Sequence, residues 1–265
     1  MQGTSGAGRR VFLLGKGISY SYSPGMHNAA FRALDIDWSY ELLDVESAEL
    51  PQTIAQMRAP EVAGANVTIP YKQAVMEHLD GVDPEALRAR AVNTIVNEGG
   101  RLVGSNTDVA AIRAAVDEVG VEPRGANVVI LGTGGSARAA AVALDGAHLT
   151  FASRHPDDVD VPGHLVAWGD QAMSVLTHAA DLLINATPVG RRDEMPLRPA
   201  ALPKAGAVID LVYVTGGTPL VRKCRSLGLR TADGWGILLA QGARSFEMWT
   251  GRKPPLDVMR ETLQP

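Results

Sequence analysis

An apolar, β-branched run, Val128-Val129-Ile130-Leu131, enters Gly132-Thr133-Gly134-Gly135-Ser136-Ala137 and continues as an alanine-rich stretch to Leu144. A strand that breaks on a GxGxxA turn and opens a helix is a nucleotide-binding βα unit. The glycines let the backbone approach a pyrophosphate, whose charge meets the free N–H groups and positive end of the helix. A plain glycine turn is the structural alternative, and the strand before and helix after weigh against it. The end of the next strand, 149–153, selects the dinucleotide. An acid there would bond a free ribose 2′-hydroxyl; the chain carries Ser153-Arg154-His155 instead. A guanidinium suits a 2′-phosphate, so the expected cofactor is NADP, with NAD possible and a solvated surface arginine as the alternative.

Other polar groups cluster in the first half. Ser21-Tyr22-Ser23-Pro24 precedes an expected helix, with Ser23 placed as N-cap and Pro24 at the first helical position. The two hydroxyls, the free N–H groups and the helix dipole also make a carboxylate site, and both roles can coexist. Asn66 and Thr68 lie two apart on a strand, hence on one face. Lys72 follows at the start of an expected helix, where the dipole favours anions. A structural explanation for it is weak, and a solvated lysine is the alternative. Asp108 or Thr107 can cap the helix that follows them, and Asn93 can be a turn-edge asparagine.

The elements that must position these groups alternate: strand 11–14, helix 24–35, strand 38–43, helix 47–58, strand 62–68, helix 71–79. That βαβαβα pattern argues for a mostly parallel sheet with covered faces. A hairpin, 91–97 and 101–104, turns on Glu98-Gly99-Gly100. A long amphipathic helix then runs to 119, with apolar residues at 109, 112, 116 and 119. The second alternation adds strands at 182–186, 207–212 and 228–231, and helices at 237–250 and from 256 close the chain.

At 265 residues the chain holds one large or two medium α/β domains. Its 46% hydrophobic and 20% charged residues are those of an ordinary soluble protein. A net charge of −4 without a basic block gives no reason to expect nucleic acid. Cys224 is the single cysteine and the six histidines are scattered, so a reducing cytoplasm and a metal-free site are expected. Arg9-Arg10 has the look of a twin-arginine signal, but the apolar stretch behind it ends after Leu14. No segment is long enough to cross a bilayer, and no membrane partner is expected. Residues 1–8 read as a Gly/Ser-rich tail.

The order SxSP, GANVTxPxK, AVNT, NTD, GxGG, NATxxG, DLVY with a later TP, and ADGxGxLxxQ closely resembles the shikimate dehydrogenases from about residue 11 to 251. The resemblance implies two α/β domains joined by two helices: a mixed-sheet substrate domain, 1–107, completed by 238–265, and a Rossmann domain with a doubly wound parallel sheet, 108–237. It implies Ser21 and Ser23 on the substrate carboxylate with Tyr213 nearby, Asn66, Thr68, Asn93 and Gln241 on ring hydroxyls, and Lys72 and Asp108 as the catalytic pair. On the cofactor side it implies Gly132, Thr133, Gly134, Gly135, Ser136 and Ala137 at the pyrophosphate and Arg154, beside Ser153, at the 2′-phosphate. Asn185 and Thr187 would lie beside the cofactor and Gly234 near the nicotinamide. Ser153-Arg154-His155 departs from the family's Asn-Arg-Thr clamp, keeping only the arginine, and the segment to Pro162 is short and acidic. A modest NADP preference follows. A ketone accepting hydride needs a proton at its developing alkoxide. The chain has no Tyr-x-x-x-Lys pair to supply it, so Lys72 is the economical donor. The implied reaction is NADPH-dependent reduction of 3-dehydroshikimate to shikimate in aromatic amino-acid (chorismate) biosynthesis, by a monomer or homodimer. The alternatives are an NAD-using quinate/shikimate dehydrogenase, a methylene-tetrahydrofolate dehydrogenase and a non-catalytic binding protein of the same fold.

Overall fold

The computed structural model describes residues 8–169 and 171–263, so the stretch read as a tail lies outside the described residues except at Gly8. The chain divides into two compact units, one running to Thr107 and resuming at Leu239, the other spanning Asp108 to Leu238.

The first unit opens with β1 (Arg9–Gly15), α1 (Ser23–Ala33), β2 (Trp38–Asp44), α2 (Leu50–Gln56) and β3 (Val62–Val67). β1 lies between parallel neighbours β2 and β3. It is accordingly a continuous buried run from Val11 to Gly15 rather than an alternating one. After β4 (Gly81–Val82) and α3 (Pro84–Ala89) come β5 (Thr94–Glu98) and β6 (Arg101–Ser105). The described strands of this unit follow the order β2-β1-β3-β5-β6-β4. β5 is antiparallel to both β3 and β6, so the sheet is mixed. Leu14, Ile54, Val67, Ile95 and Leu102 meet in the core on one face of it.

α4 (Thr107–Glu118) carries the chain into the second unit. There β7 (Asn127–Leu131), α5 (Gly135–Ala143), β8 (His148–Ser153), β9 (His164–Ala167), α6 (Gln171–His178), β10 (Leu182–Asn185), β11 (Ala207–Asp210), α7 (Pro219–Ser226) and β12 (Arg230–Ala232) follow. The order is β12-β11-β10-β7-β8-β9, with every neighbouring pair parallel. This is the doubly wound arrangement, whose strand order reverses between β7 and β10. α8 (Gly234–Thr250) starts in this unit and ends in the first; α9 (Leu256–Glu261) then packs on α1. Trp249 on α8 donates its indole N–H to the Ile95 carbonyl at 2.9 Å, and Phe246 lies 5.2 Å from Phe31 between ring centres.

Several local expectations change. The helix expected over 71–79 is a turn followed by a 3₁₀ helix, Ala74–His78. The Lys72 carbonyl accepts from Val92 N at 2.7 Å, and Met76 N bonds back three residues to Gln73, which tightens the coil. Ser23 is not the N-cap of α1. The helix includes it, Pro24 is the second helical residue, and the Ser21 hydroxyl oxygen accepts from Ser23 N at 3.2 Å. The sequence reading assigns nothing to 80–90 or 164–167, where α3, β4 and β9 stand. α8 begins at Gly234 rather than 237, and β12 covers 230–232.

Candidate active site

Because β1, β3 and β6 run one way and β5 the other, their carboxyl ends and the amino end of β5 share one edge of the sheet. Ser21 and Ser23 follow β1, Thr68 and Lys72 follow β3, Asn93 enters β5, and Asn106 and Thr107 follow β6. The carboxyl edge of parallel strands is where α/β proteins bind ligands. Ser23 is buried and Ser21 half-buried, and Lys72 is partly buried on a backbone held by Val92. Asp108, the second residue of α4, is 8% exposed and comes directly after Thr107 in the chain.

Beneath that edge lies a buried polar network. Asn66 Oδ1 accepts from the Tyr40 hydroxyl at 2.9 Å. Its Nδ2 lies 3.1 Å from the Asn93 carbonyl, 3.1 Å from Thr94 Oγ1 and 3.0 Å from Ser245 Oγ. Asn93 Oδ1 accepts from the Thr107 amide at 2.7 Å and so satisfies the first N–H of α4, the task expected of a Thr107 or Asp108 side chain. Asn93 Nδ2 donates to Thr107 Oγ1 at 2.9 Å. Ser245 donates to the carbonyl of Gln241 one turn back at 2.9 Å. The structure thus joins Asn66 and Asn93 directly and reaches the backbone of Gln241 through Ser245. Side chains buried to this degree must find partners; here each finds several.

In the second unit, Gly132 sits at φ +104°, and a Cβ on it would stand 3.0 Å from Thr187 Cγ2. Gly134 faces open space. The N-terminus of α5 has no side-chain cap and no acidic residue in its first turn. Thr133, Gly135 and Ser136 line this turn half-buried, and Ala137 packs inward. Uncapped N–H groups behind an open glycine fit the phosphates of a dinucleotide. Arg154 is exposed at the end of β8, and the buried Ser153 hydroxyl accepts from His155 N at 3.1 Å, turning the chain around the arginine. Arg138 on α5 donates to the Asp160 carbonyl at 2.7 Å, tying down the acidic segment.

Asn185 closes β10 with no exposed surface. Its Oδ1 accepts from Thr187 Oγ1 at 2.7 Å and its Nδ2 reaches the Val189 carbonyl at 2.9 Å, shaping the turn that presents Thr187. Tyr213 lies 5.2 Å from Trp235, ring to ring. Gly234 abuts the Leu211-Val212-Tyr213 backbone so closely that a Cβ would stand 2.6–2.8 Å from it.

Burial displaces His27, Asp210 and Cys224, the thiol of Cys224 being pushed up to about 11. Burial alone lowers His27 from 6.5 to about 3, and neither ring nitrogen meets a hydrogen-bond partner among the described residues. The ring stacks on Tyr40 at 4.5 Å and 8°. Asp210 is raised to about 6, burial outweighing the hydrogen bonds from Thr218, Val212 and Asn185. Sequence reasoning missed Tyr40 and Ser245, and gave no role to Thr94, Asp210 and Thr218 although they stand in the AVNT, DLVY and TP motifs. Thr218-Pro219 carried an N-cap signal, and Asp210 was visible as an acid ending an apolar strand. The bonds that tie the others to Asn66 span 26 to 179 positions. Among the described residues no His, Cys, Asp and Glu group could hold a metal ion, and no helix is long and apolar enough to cross a membrane.

Comparison with known proteins places this geometry. The shikimate dehydrogenase substrate binding domain matches residues 13–95, and the shikimate 5′-dehydrogenase C-terminal domain matches 234–264. The shikimate dehydrogenase (NADP(+)) of Moorella thermoacetica is 41% identical over 96% of this chain and 92% of its own length. The crystal structure of shikimate 5-dehydrogenase from Thermus thermophilus in complex with NADP(H) and shikimate superposes with a TM-score of 0.85 at 35% identity, covering 96% of this chain and 98% of that one. That of the Listeria monocytogenes enzyme in complex with shikimate and NAD gives 0.82 at 31% identity, covering 96% of each chain. With its mixed and doubly wound sheets matched over nearly their whole length at such identity, the chain belongs to the shikimate dehydrogenase family.

Proposed function

We propose that this chain interconverts 3-dehydroshikimate and shikimate with NADP(H), an oxidoreductase step of aromatic amino-acid biosynthesis, using the first unit for the substrate and the second for the cofactor. The observation that carries this reading is the sheet edge that Ser21, Ser23, Thr68, Lys72 and Asn93 share above a buried hydrogen-bonded network. Hydroxyl, amide and ammonium groups there complement a small polyhydroxylated carboxylate.

Ser21 accepts from Ser23 N and still has its hydroxyl proton to donate to the carboxylate, and Ser23 joins it. Asn66, Thr68, Asn93 and Gln241 orient ring hydroxyls, and the network keeps Asn66 and Asn93 from rotating. Lys72 holds the proton that the carbonyl oxygen takes as it becomes a hydroxyl, and Asp108 is the other member of the catalytic pair that the family resemblance implies. NADPH, when bound, supplies the hydride. Gly132 to Ala137 would hold its pyrophosphate, Arg154 beside Ser153 its 2′-phosphate, and Asn185, Thr187 and Gly234 its nicotinamide end. Cys224, free and buried, supports a cytoplasmic place of work.

The exposed acids Asp157 and Asp160 beyond Arg154 favour a second reading in which NAD is also used. Initial rates at 340 nm with shikimate or quinate against NADP+ and NAD+ separate the two. Shikimate with NADP+ is expected to give the highest kcat/KM. Absence of turnover with shikimate and either cofactor overturns the proposal, and a preference for quinate with NAD+ replaces it with the second reading.

A further inference from the structure

Asp210 closes β11 with no exposed surface, and its three donors are neutral. Burying a carboxylate is costly unless its lone pairs are filled, and an acceptor-only group is what three converging donors need. Each donor comes from a different segment at the carboxyl end of the parallel sheet. Asn185 Nδ2, at the end of β10, donates at 2.9 Å, Val212 N, in the segment after β11, at 3.0 Å, and Thr218 Oγ1, of the N-cap of α7, at 2.6 Å. Asn185 in turn fixes Thr187, which packs against Gly132. The segment that begins with Val212 carries Tyr213, backs Gly234, and accepts from Trp235 Nε1 at 3.2 Å through the Val214 carbonyl. One carboxylate therefore holds Asn185, Thr187, Tyr213 and Gly234, while the α5 turn and Arg154 stand on β7 and β8.

We infer that Asp210 is a positioning residue for the nicotinamide end of the cofactor, with Thr218 as its support; this rests on the reading of the second unit as the NADP-binding one. It touches neither substrate nor cofactor and acts through Asn185 and the 211–214 segment. The role predicts a split that a merely structural carboxylate would not produce, because the adenosine half of the cofactor is held elsewhere.

Calorimetric binding of NADP+ and of adenosine 2′,5′-bisphosphate tests it on the wild type, Asp210→Asn, Thr218→Val and the hydroxyl-retaining Thr218→Ser, each below its Tm. NADP+ is expected to bind about tenfold more weakly to Asp210→Asn and Thr218→Val, the effect of losing a hydrogen bond to a charged group. The bisphosphate should stay within about twofold of wild type, as should both ligands with Thr218→Ser. If Asp210→Asn does not fold, Thr218→Val carries the same test. Unchanged NADP+ binding in the folded variants, or equal weakening of both ligands, overturns the positioning role. A wild type that binds neither ligand overturns the cofactor reading itself, and this inference with it.

Discussion

Lys72 hangs from a turn whose carbonyl is committed to Val92, so its side chain starts from a fixed point beside the segment that leads into Asn93. Its proposed role as proton donor predicts that Lys72→Ala lowers kcat by about 10²–10⁴-fold with a smaller change in KM, the usual range for an acid–base group. Near-normal kcat in that variant would refute the role. In the proposed role, Ser21 and Ser23 bind the carboxylate equally before and during reaction, and either alanine variant should then raise the KM for shikimate by roughly ten- to a hundredfold and leave kcat less affected. Steady-state kinetics checks this; an unchanged KM would reduce the serines to shaping the start of α1. Arg154 stands exposed without the flanking Asn and Thr of its family, so its NADP preference should be modest. Arg154→Ala should bring kcat/KM for NADP+ and NAD+ together, and an unaltered ratio would show that it does not read the 2′-phosphate.

The glycine turn between β7 and α5 works only because Gly132 takes a φ of +104° with Thr187 at its back. Gly132→Ala forces a Cβ into both constraints and should cost about 1–3 kcal/mol. The loss should appear as a lower Tm and as weakened NADP+ binding; a Tm and affinity equal to wild type would contradict the turn described. At the other sheet, Ser245 lies between Asn66, Thr94, Thr107 and the Gln241 carbonyl. Its hydroxyl reaches all four, yet nothing in its local sequence distinguishes it from any serine on a helix. The GxGxxA turn was legible because the φ demand and the helix start are local. The 71–79 helix was misread because the bond that breaks it comes from Val92.

Across the molecule, His27 and Asp210 give the units opposite responses to acid. His27 in the first unit stays neutral to about pH 3 while its unfolded counterpart takes a proton near 6.5. Its contribution is therefore fully present above pH 6.5 and is lost as pH falls towards 3, by at most about 1.4 kcal/mol per pH unit. Asp210 in the second unit, raised from 3.8 to about 6, binds its proton more tightly when folded. Its contribution is greatest below pH 3.8 and declines as pH rises to 6, with the same limiting slope. Calorimetry of the wild type against His27→Phe, which keeps an aromatic ring in the stack, should show the variant gaining relative stability as pH drops from 6.5 to 4. A difference that does not vary with pH would mean that His27 is not buried neutral.

The sequence by itself determined the class of the fold, the dinucleotide turn and most of the candidate residues, since these rest on local periods, glycine spacing and motifs read in order along the chain. The mixed character of the first sheet was expected from the resemblance rather than from the βαβαβα pattern, which taken alone argued for a mostly parallel sheet. Only the tertiary structure decided which side chains are already spoken for. Asn66 and Asn93 are bound to Tyr40, Ser245 and Thr107, Asn93 rather than a neighbouring side chain caps α4, and Asp210 gathers three segments under one carboxylate. Those facts join residues up to 179 positions apart. A hydrogen bond has a fixed reach in space and none along the chain, so no local pattern records its partner.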